Sequence, residues 1–202
     1  MILAIDTSTA ACTAALFDGA GNCVGSCDEL IGRGHAERLA PMLAELLDGR
    51  SADEILVGVG PGSFTGIRVG VAAAHGLAIG WGARLSGMSS LALIAAAADA
   101  RTEIVAAIEG GHGELFIQQF DAALNPRSEL LNLPPDQAAM VASADLAAGP
   151  GAQALTNARG TGRAIEAWPS ASHALRLPEA LRTLAAAPLY ARAPDAKART
   201  AA

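Results

Sequence analysis

Within its first thirty residues the chain carries three short apolar runs separated by turn-forming residues, and this opening constrains the fold more than any other feature. Ile2-Leu3-Ala4-Ile5-Asp6 reads as a buried strand that ends in the polar loop Thr7-Ser8-Thr9. Cys12 to Phe17 reads as a second strand, Asp18-Gly19-Ala20-Gly21-Asn22 as a turn, and Cys23 to Leu30 as a third strand. Turns this short join antiparallel neighbours, so the chain opens as a three-stranded meander. Gly32-Arg33-Gly34 ends it, and the period then changes. Leu39, Met42, Leu43, Leu46 and Leu47 recur at spacings of three and four, which predicts a helix from His35 that contains Pro41 and closes at Asp48-Gly49.

Two further units alternate strand and helix. Ile55 to Val59 is a buried parallel strand, Gly60 to Thr65 a loop, and Gly66 to about Ile79 a helix. Arg84 to Ser86 and Ser89 to Ala98 form the next pair. Three antiparallel strands followed by helix, strand, helix, strand, helix is the order of an α/β lobe of the ribonuclease-H-like, actin-type (ASKHA) fold, with a mixed sheet covered by helices. The second half reads as a shortened repeat. Glu103 to Ile108 and Glu114 to Asp121 flank the turn Glu109 to Gly113 as a hairpin, and Ser128 to Leu133 adds a strand. A helix starts near Pro134-Pro135-Asp136, Ala144 to Ala148 and Ile165 to Trp168 are strands, and Ser172 to Ala186 is a last helix broken near Pro178. The expected organisation is a first lobe over 1–99, a shortened second lobe over 100–190, and an extended tail over 191–202.

Charge and cysteine content narrow the function classes. The net charge is −6, and residues 1–97 hold five Lys/Arg against nine Asp/Glu, the remainder nine against eleven. Neither half has the basic excess that binding nucleic acid alone requires. The longest alanine-rich run, Leu91 to Ala98, is too short to cross a bilayer. No charged leader precedes Ile2, and three cysteines (Cys12, Cys23, Cys27) make neither a disulfide framework nor a zinc site. A reduced, cytoplasmic protein is expected.

Two segments could carry chemistry. In Asp6-Thr7-Ser8-Thr9 a carboxylate and hydroxyls follow the first strand, a placement that suits metal-bound phosphate and equally suits a strand-end turn. The second is Gly60-Pro61-Gly62-Ser63-Phe64-Thr65-Gly66-Ile67-Arg68-Val69-Gly70. It lacks the Gly-Lys-Ser/Thr ending of a Walker loop; Ser63 or Thr65 is placed to cap the helix that follows. Gly66, Gly70 and Ala74 share one helix face, beside the apolar Val69, Ala73 and Leu77. Such a face suits either packing on the chain's own sheet or docking of a second chain, and spacing leaves both open. His35 and Glu37 open a helix, with His35 expected to be solvated, and His75 reads as a packing histidine. Cys12 has no basic neighbour in sequence that would activate it.

The stretches Ile2 to Thr9, His35-Ala36-Glu37-Arg38-Leu39-Ala40-Pro41-Met42, Gly60 to Gly70, and Pro188-Leu189-Tyr190-Ala191-Arg192-Ala193-Pro194-Asp195-Ala196-Lys197 together resemble the bacterial TsaB (YeaZ) family. The resemblance implies a non-catalytic subunit of the machinery that makes threonylcarbamoyladenosine in tRNA. It implies a TsaD-type catalytic partner, a TsaE-type ATPase, and a homodimer when the subunit is alone. The partner surface would be Gly60 to Gly66 with Arg68, Val69, Gly70, Ala73, Ala74 and Leu77. The isolated subunit is expected to need no cofactor, with ATP or ADP and a metal held in the partner complex, and to reach tRNA only through that complex. TsaD-type relatives carry a His-x-x-x-His metal pair, and alignment places Ser90 and Ile94 at those positions. Isoleucine cannot ligate a metal, and no two of the four histidines are four residues apart, so a metallopeptidase has no ligand set. The competing reading is a small ATP-dependent kinase of the same superfamily, which would need an adenosine loop in the second lobe.

Overall fold

The computed structural model describes residues 1–189. The expected tail over 191–202 lies outside the described residues. Strands β1 (Ile2–Asp6), β2 (Ala11–Phe17) and β3 (Cys23–Leu30) precede helix α1 (His35–Leu47). They are followed by β4 (Glu54–Gly58), α2 (Phe64–Trp81), β5 (Arg84–Met88) and α3 (Ser90–Ala97). The second half contains β6 (Ile104–Glu109), β7 (Leu115–Phe120), β8 (Leu131–Leu133), α4 (Pro135–Val141), β9 (Leu146–Ala148), α5 (Ala152–Arg159), β10 (Arg163–Ile165) and α6 (Glu179–Arg182). Short 3-10 helices cover Gly111–Gly113 and Ala171–Arg176.

The first sheet has the order β3-β2-β1-β4-β5 and the second, read from its other edge, β8-β7-β6-β9-β10. In both, the three hairpin-joined strands are antiparallel and the remaining pairs parallel. The repeat extends to the turns. Asp18 accepts from the backbone N–H groups of Ala20 and Asn22 and from the Asn22 amide, and Asp121 does the same for Ala123 and Asn125. Gly60-Pro61-Gly62 follows β4, and Gly149-Pro150-Gly151 follows β9. The chain thus has the two-lobed α/β architecture of the actin-type fold.

Alternation along each strand sorts side chains into three cores. Leu3, Ile5, Ile55 and Val57 face α1 and α2, where they meet Leu39, Met42 and Ile67. Ala4, Phe17 and Leu56 face the opposite way, toward Ile104, Ala106 and Phe120 of the second sheet. Val105, Ala107 and Leu115 meet Ala138 and Leu155 of α4 and α5. Between the sheets lies α3, whose residues Leu91 to Ala96 are at most 1% exposed. A helix apolar on every side can only be buried so. Its alanines let both sheets approach closely. Among the described residues no helix is long and apolar enough to cross a membrane.

The second half departs from its sequence pattern in four places. Helix α5 has no counterpart in the apolar periodicity, because its buried face is Ala152, Leu155 and Thr156. Alanine does not stand out in a chain with 48 of them; the left-handed Gly160 that ends the helix (φ 72°) was the available signal. The strand expected over Ile165 to Trp168 lies at Arg163–Ile165, paired with β9. Only Leu131–Leu133 of the expected Ser128 to Leu133 strand joins the sheet. The helix expected over Ser172 to Ala186 is a 3-10 turn and one short helix, since Pro178 holds Leu177 extended (ψ 139°). The chain then runs along β5, where Leu184 pairs with Gly87.

Candidate functional site

Strand β1 delivers Asp6 to a position with no solvent exposure; Thr7 and Ser8 are equally enclosed and Thr9 is 7% exposed. Each polar group there has an internal partner. One Asp6 carboxylate oxygen accepts from the Ser8 N–H (2.8 Å) and the Ser8 hydroxyl (2.7 Å). The other accepts from the Ser90 hydroxyl at 2.6 Å. The Thr7 hydroxyl donates to the Gly66 carbonyl (2.7 Å), and the Thr9 hydroxyl accepts the Ala11 N–H (3.2 Å). Burial pushes the Asp6 carboxyl above the ordinary carboxylate range, against the opposing pull of the Ser90 and Ser8 hydrogen bonds.

The loop after β4 closes over this one. The Ser63 N–H donates to the Ser8 carbonyl at 2.7 Å and the Ser90 N–H to the Gly60 carbonyl at 3.1 Å. Ser63, rather than Thr65, caps α2 by accepting from the Gly66 N–H (3.2 Å). Contact is so close that a Cβ at Gly62 would lie 2.0 Å from the Ser8 carbonyl oxygen, and one at Gly66 2.1 Å from that of Thr7. The two segments singled out in the sequence are one interlocked unit.

Two expectations are corrected by this geometry. Asp6, Thr7, Ser8 and Thr9 do not line an open surface: their side chains are buried and hydrogen-bonded within the chain. The stripe Gly66, Gly70 and Ala74 is buried against the chain's own β1 loop and β4, and a Cβ at Gly70 would come within 2.5 Å of the Thr7 hydroxyl. Val69, Ala73 and Leu77 are half-buried against the same core. The outward face of α2 is instead Phe64, Thr65, Arg68, Ala72, His75, Gly76, Ile79 and Gly80. Phe64 is 57% and Ile79 82% exposed, and the Arg68 guanidinium stacks 3.6 Å from the Phe64 ring centroid.

Other residues are placed as follows. His35 is buried rather than solvated, its Nε2 3.3 Å from the Ala11 carbonyl. His75 is exposed rather than packed inside, and its Nε2 reaches the Ala186 carbonyl at 2.9 Å. Cys12 lies in the core beside Met42, and burial pushes its thiol up to about 11. Among the described residues no group of three or more His, Cys, Asp or Glu could hold a metal ion. Ile94 is wholly buried in α3 and Ser90 is committed to Asp6, so the positions aligned with the histidine pair are structural. Ser90 is the residue whose role the sequence did not reveal, since its partner lies 84 positions away.

The buried carboxyl gives a pH prediction. A carboxyl with a raised folded pKa stabilises the fold fully below its unfolded value, about 3.9, and loses that contribution as pH rises through the folded value. Asp6→Asn keeps the shape without the charge. In urea unfolding between pH 4.5 and 8, wild type should therefore lose ground to the variant as pH rises. A wild type that gains on the variant with rising pH would contradict this.

The family model described as "TsaD: tRNA N6-adenosine threonylcarbamoyltransferase" matches residues 24–179. The chain is 40% identical over 128 residues to the tRNA threonylcarbamoyladenosine biosynthesis protein TsaB of Escherichia coli (strain K12), covering 59% of this chain and 54% of that protein. To the protein of that name from Haemophilus influenzae it is 38% identical over 127 residues, 58% of this chain and 52% of that one. The chain thus spans about half the length of the curated relatives it matches. YeaZ from Pseudomonas aeruginosa superposes with a TM-score of 0.80 at 29% identity, over 94% of this chain and 98% of that one. A structure described as an uncharacterized protein with similarity to peptidase YEAZ from Pseudomonas aeruginosa superposes at 0.77 with 31% identity, over 95% and 99%.

Proposed function

The chain belongs to the TsaD-type family, in its TsaB (YeaZ) branch, and from that premise we propose that it is a non-catalytic subunit of the tRNA threonylcarbamoyladenosine modification complex. The observation that supports this reading is the closed Asp6 loop: its carboxylate accepts from Ser8 and Ser90, and the Thr7, Ser8 and Thr9 hydroxyls are buried and hydrogen-bonded within the chain. The same observation weighs against the kinase alternative. Nucleotide and metal then belong to the partners, a TsaD-type catalytic subunit and a TsaE-type ATPase, and tRNA is reached through them.

The proposed contact is the outward face of α2, through which the chain pairs with itself when alone and with the TsaD-type subunit in the complex. Phe64, stacked by Arg68, and Ile79 are large apolar side chains that are mostly exposed, and Ala72, Gly76 and Gly80 between them leave room for a second backbone. Tagged TsaD-type protein mixed with this chain should retain it as a stoichiometric complex on size exclusion. Separate elution of the two at micromolar concentration would overturn the reading.

A further inference from the structure

Thr13 on β2 and Asp28 on β3 are direct cross-strand partners on the sheet face away from α1, Thr13 buried and Asp28 exposed at the sheet edge. The Thr13 hydroxyl donates to one Asp28 carboxylate oxygen. The other oxygen accepts from the Ser170 hydroxyl at 2.8 Å. Ser170 and Ser172 share a hydrogen bond of 2.7 Å, and the Ala171 N–H donates to the Thr13 hydroxyl at 2.8 Å. The hydrogen bonds therefore converge on one carboxylate: Ser172 to Ser170 to Asp28, and Ala171 to Thr13 to Asp28. Hydrogen bonds to an ionised acceptor are the strong ones. Thr13 is wholly buried and Ser170 is 9% exposed.

This point lies where the chain returns from the second sheet to the first. Ala171 and Ala174, both fully buried, enter the core between the sheets beside Ala4 and Ala15. At the far end of the same turn, Arg176 donates to the Ala96 carbonyl at the end of α3 (3.1 Å) and to Asp99 (2.6 Å). Beyond it, Leu184 and Gly87 exchange two backbone hydrogen bonds, and the Leu189 N–H donates to the Val59 carbonyl. The segment 168–189 is thus tied to the first sheet at its start, its middle and its end.

We propose that Asp28 is the latch that fixes the angle between the two lobes and so keeps the Asp6–Thr9 loop closed. Actin-type lobes joined only by a hinge would open and close over a ligand. Here a charged acceptor on the edge strand of one lobe holds the last turn of the other, and that turn packs beneath β1, which carries Asp6.

Hydrogen–deuterium exchange of the full chain tests it. In Asp28→Ala, amides over 168–176 should exchange about tenfold faster, the loss expected for a charge-assisted hydrogen-bond pair. Amides of Asp6 to Ala11 should accelerate with them while α1 keeps its protection. Ser170→Ala, which removes one hydroxyl and leaves the Thr13–Asp28 pair in place, should show the same pattern at smaller size, and it carries the test if Asp28→Ala does not fold. Arg84→Ala, which breaks an exposed ion pair with Glu54, should change neither region. Acceleration confined to 168–176, with Asp6 to Ala11 unchanged, would overturn the latch, as would no acceleration at all.

Discussion

Gly66→Ala is expected to cost at least about 3 kcal/mol, the range of severe overpacking, which is a large share of a typical domain stability. The added methyl would lie 2.1 Å from the Thr7 carbonyl oxygen, and a backbone atom cannot rotate out of its way. Gly62→Ala meets the Ser8 carbonyl in the same manner. Both changes separate the two loops whose contact holds Asp6 in place. Gly76→Ala is the contrast within the same helix: a Cβ there has nothing within 4 Å. It should stabilise by about 0.5–1 kcal/mol through helix propensity alone. Urea unfolding followed by circular dichroism reads all three. If Gly66→Ala and Gly76→Ala shifted the midpoint alike, the interlocked unit would not exist as described. A bulky residue at Gly70 likewise probes folding rather than association, because that glycine meets Thr7.

The second large effect is expected on the opposite face of the same helix. Ala72→Glu with Ile79→Glu puts two carboxylates on an exposed surface, where folding stability should change by no more than about 0.5 kcal/mol per site. Burying those charges against a partner would leave them unpaired, so affinity for a TsaD-type subunit should fall at least about a hundredfold. The isolated chain should also lose self-association. Asp136→Lys, on α4 of the other lobe, is the matched control and should change neither. A folded double variant that still binds with wild-type affinity would place the interface elsewhere.

The first lobe was largely legible in the sequence because its larger apolar residues carry both periods openly. Leu3 and Ile5 alternate, and Leu39, Met42, Leu43 and Leu47 repeat at helical spacing; all six are buried as those patterns require. The importance of Gly60 to Gly70 was legible as well, but its direction was not. Spacing of four says that Gly66, Gly70 and Ala74 share a face; it does not say whether that face looks inward, which depends on Thr7 and Ser8 some sixty positions earlier. Helix α5 was hidden because alanine forms its buried side. The Asp28 cluster was hidden for another reason: Ser170 lies 142 positions away, and nothing local to β3 marks Asp28 as its partner. Polar networks of this kind are set by tertiary contact, which neither propensity nor period records.

The most direct test of the account is an omission assay. A TsaD-type subunit, a TsaE-type ATPase, ATP, a threonylcarbamoyl donor and unmodified tRNA are combined with wild-type chain, with Asp6→Asn, with the Ala72→Glu/Ile79→Glu variant, or with no addition, and modified adenosine is quantified by mass spectrometry of the digested tRNA. The account predicts modification with wild type and, at a similar rate, with Asp6→Asn, whose buried side chain performs no chemistry. It predicts background levels with the double variant and with the omission. Full modification without the chain, or its abolition by a folded Asp6→Asn, would contradict a non-catalytic subunit that acts through the outward face of α2.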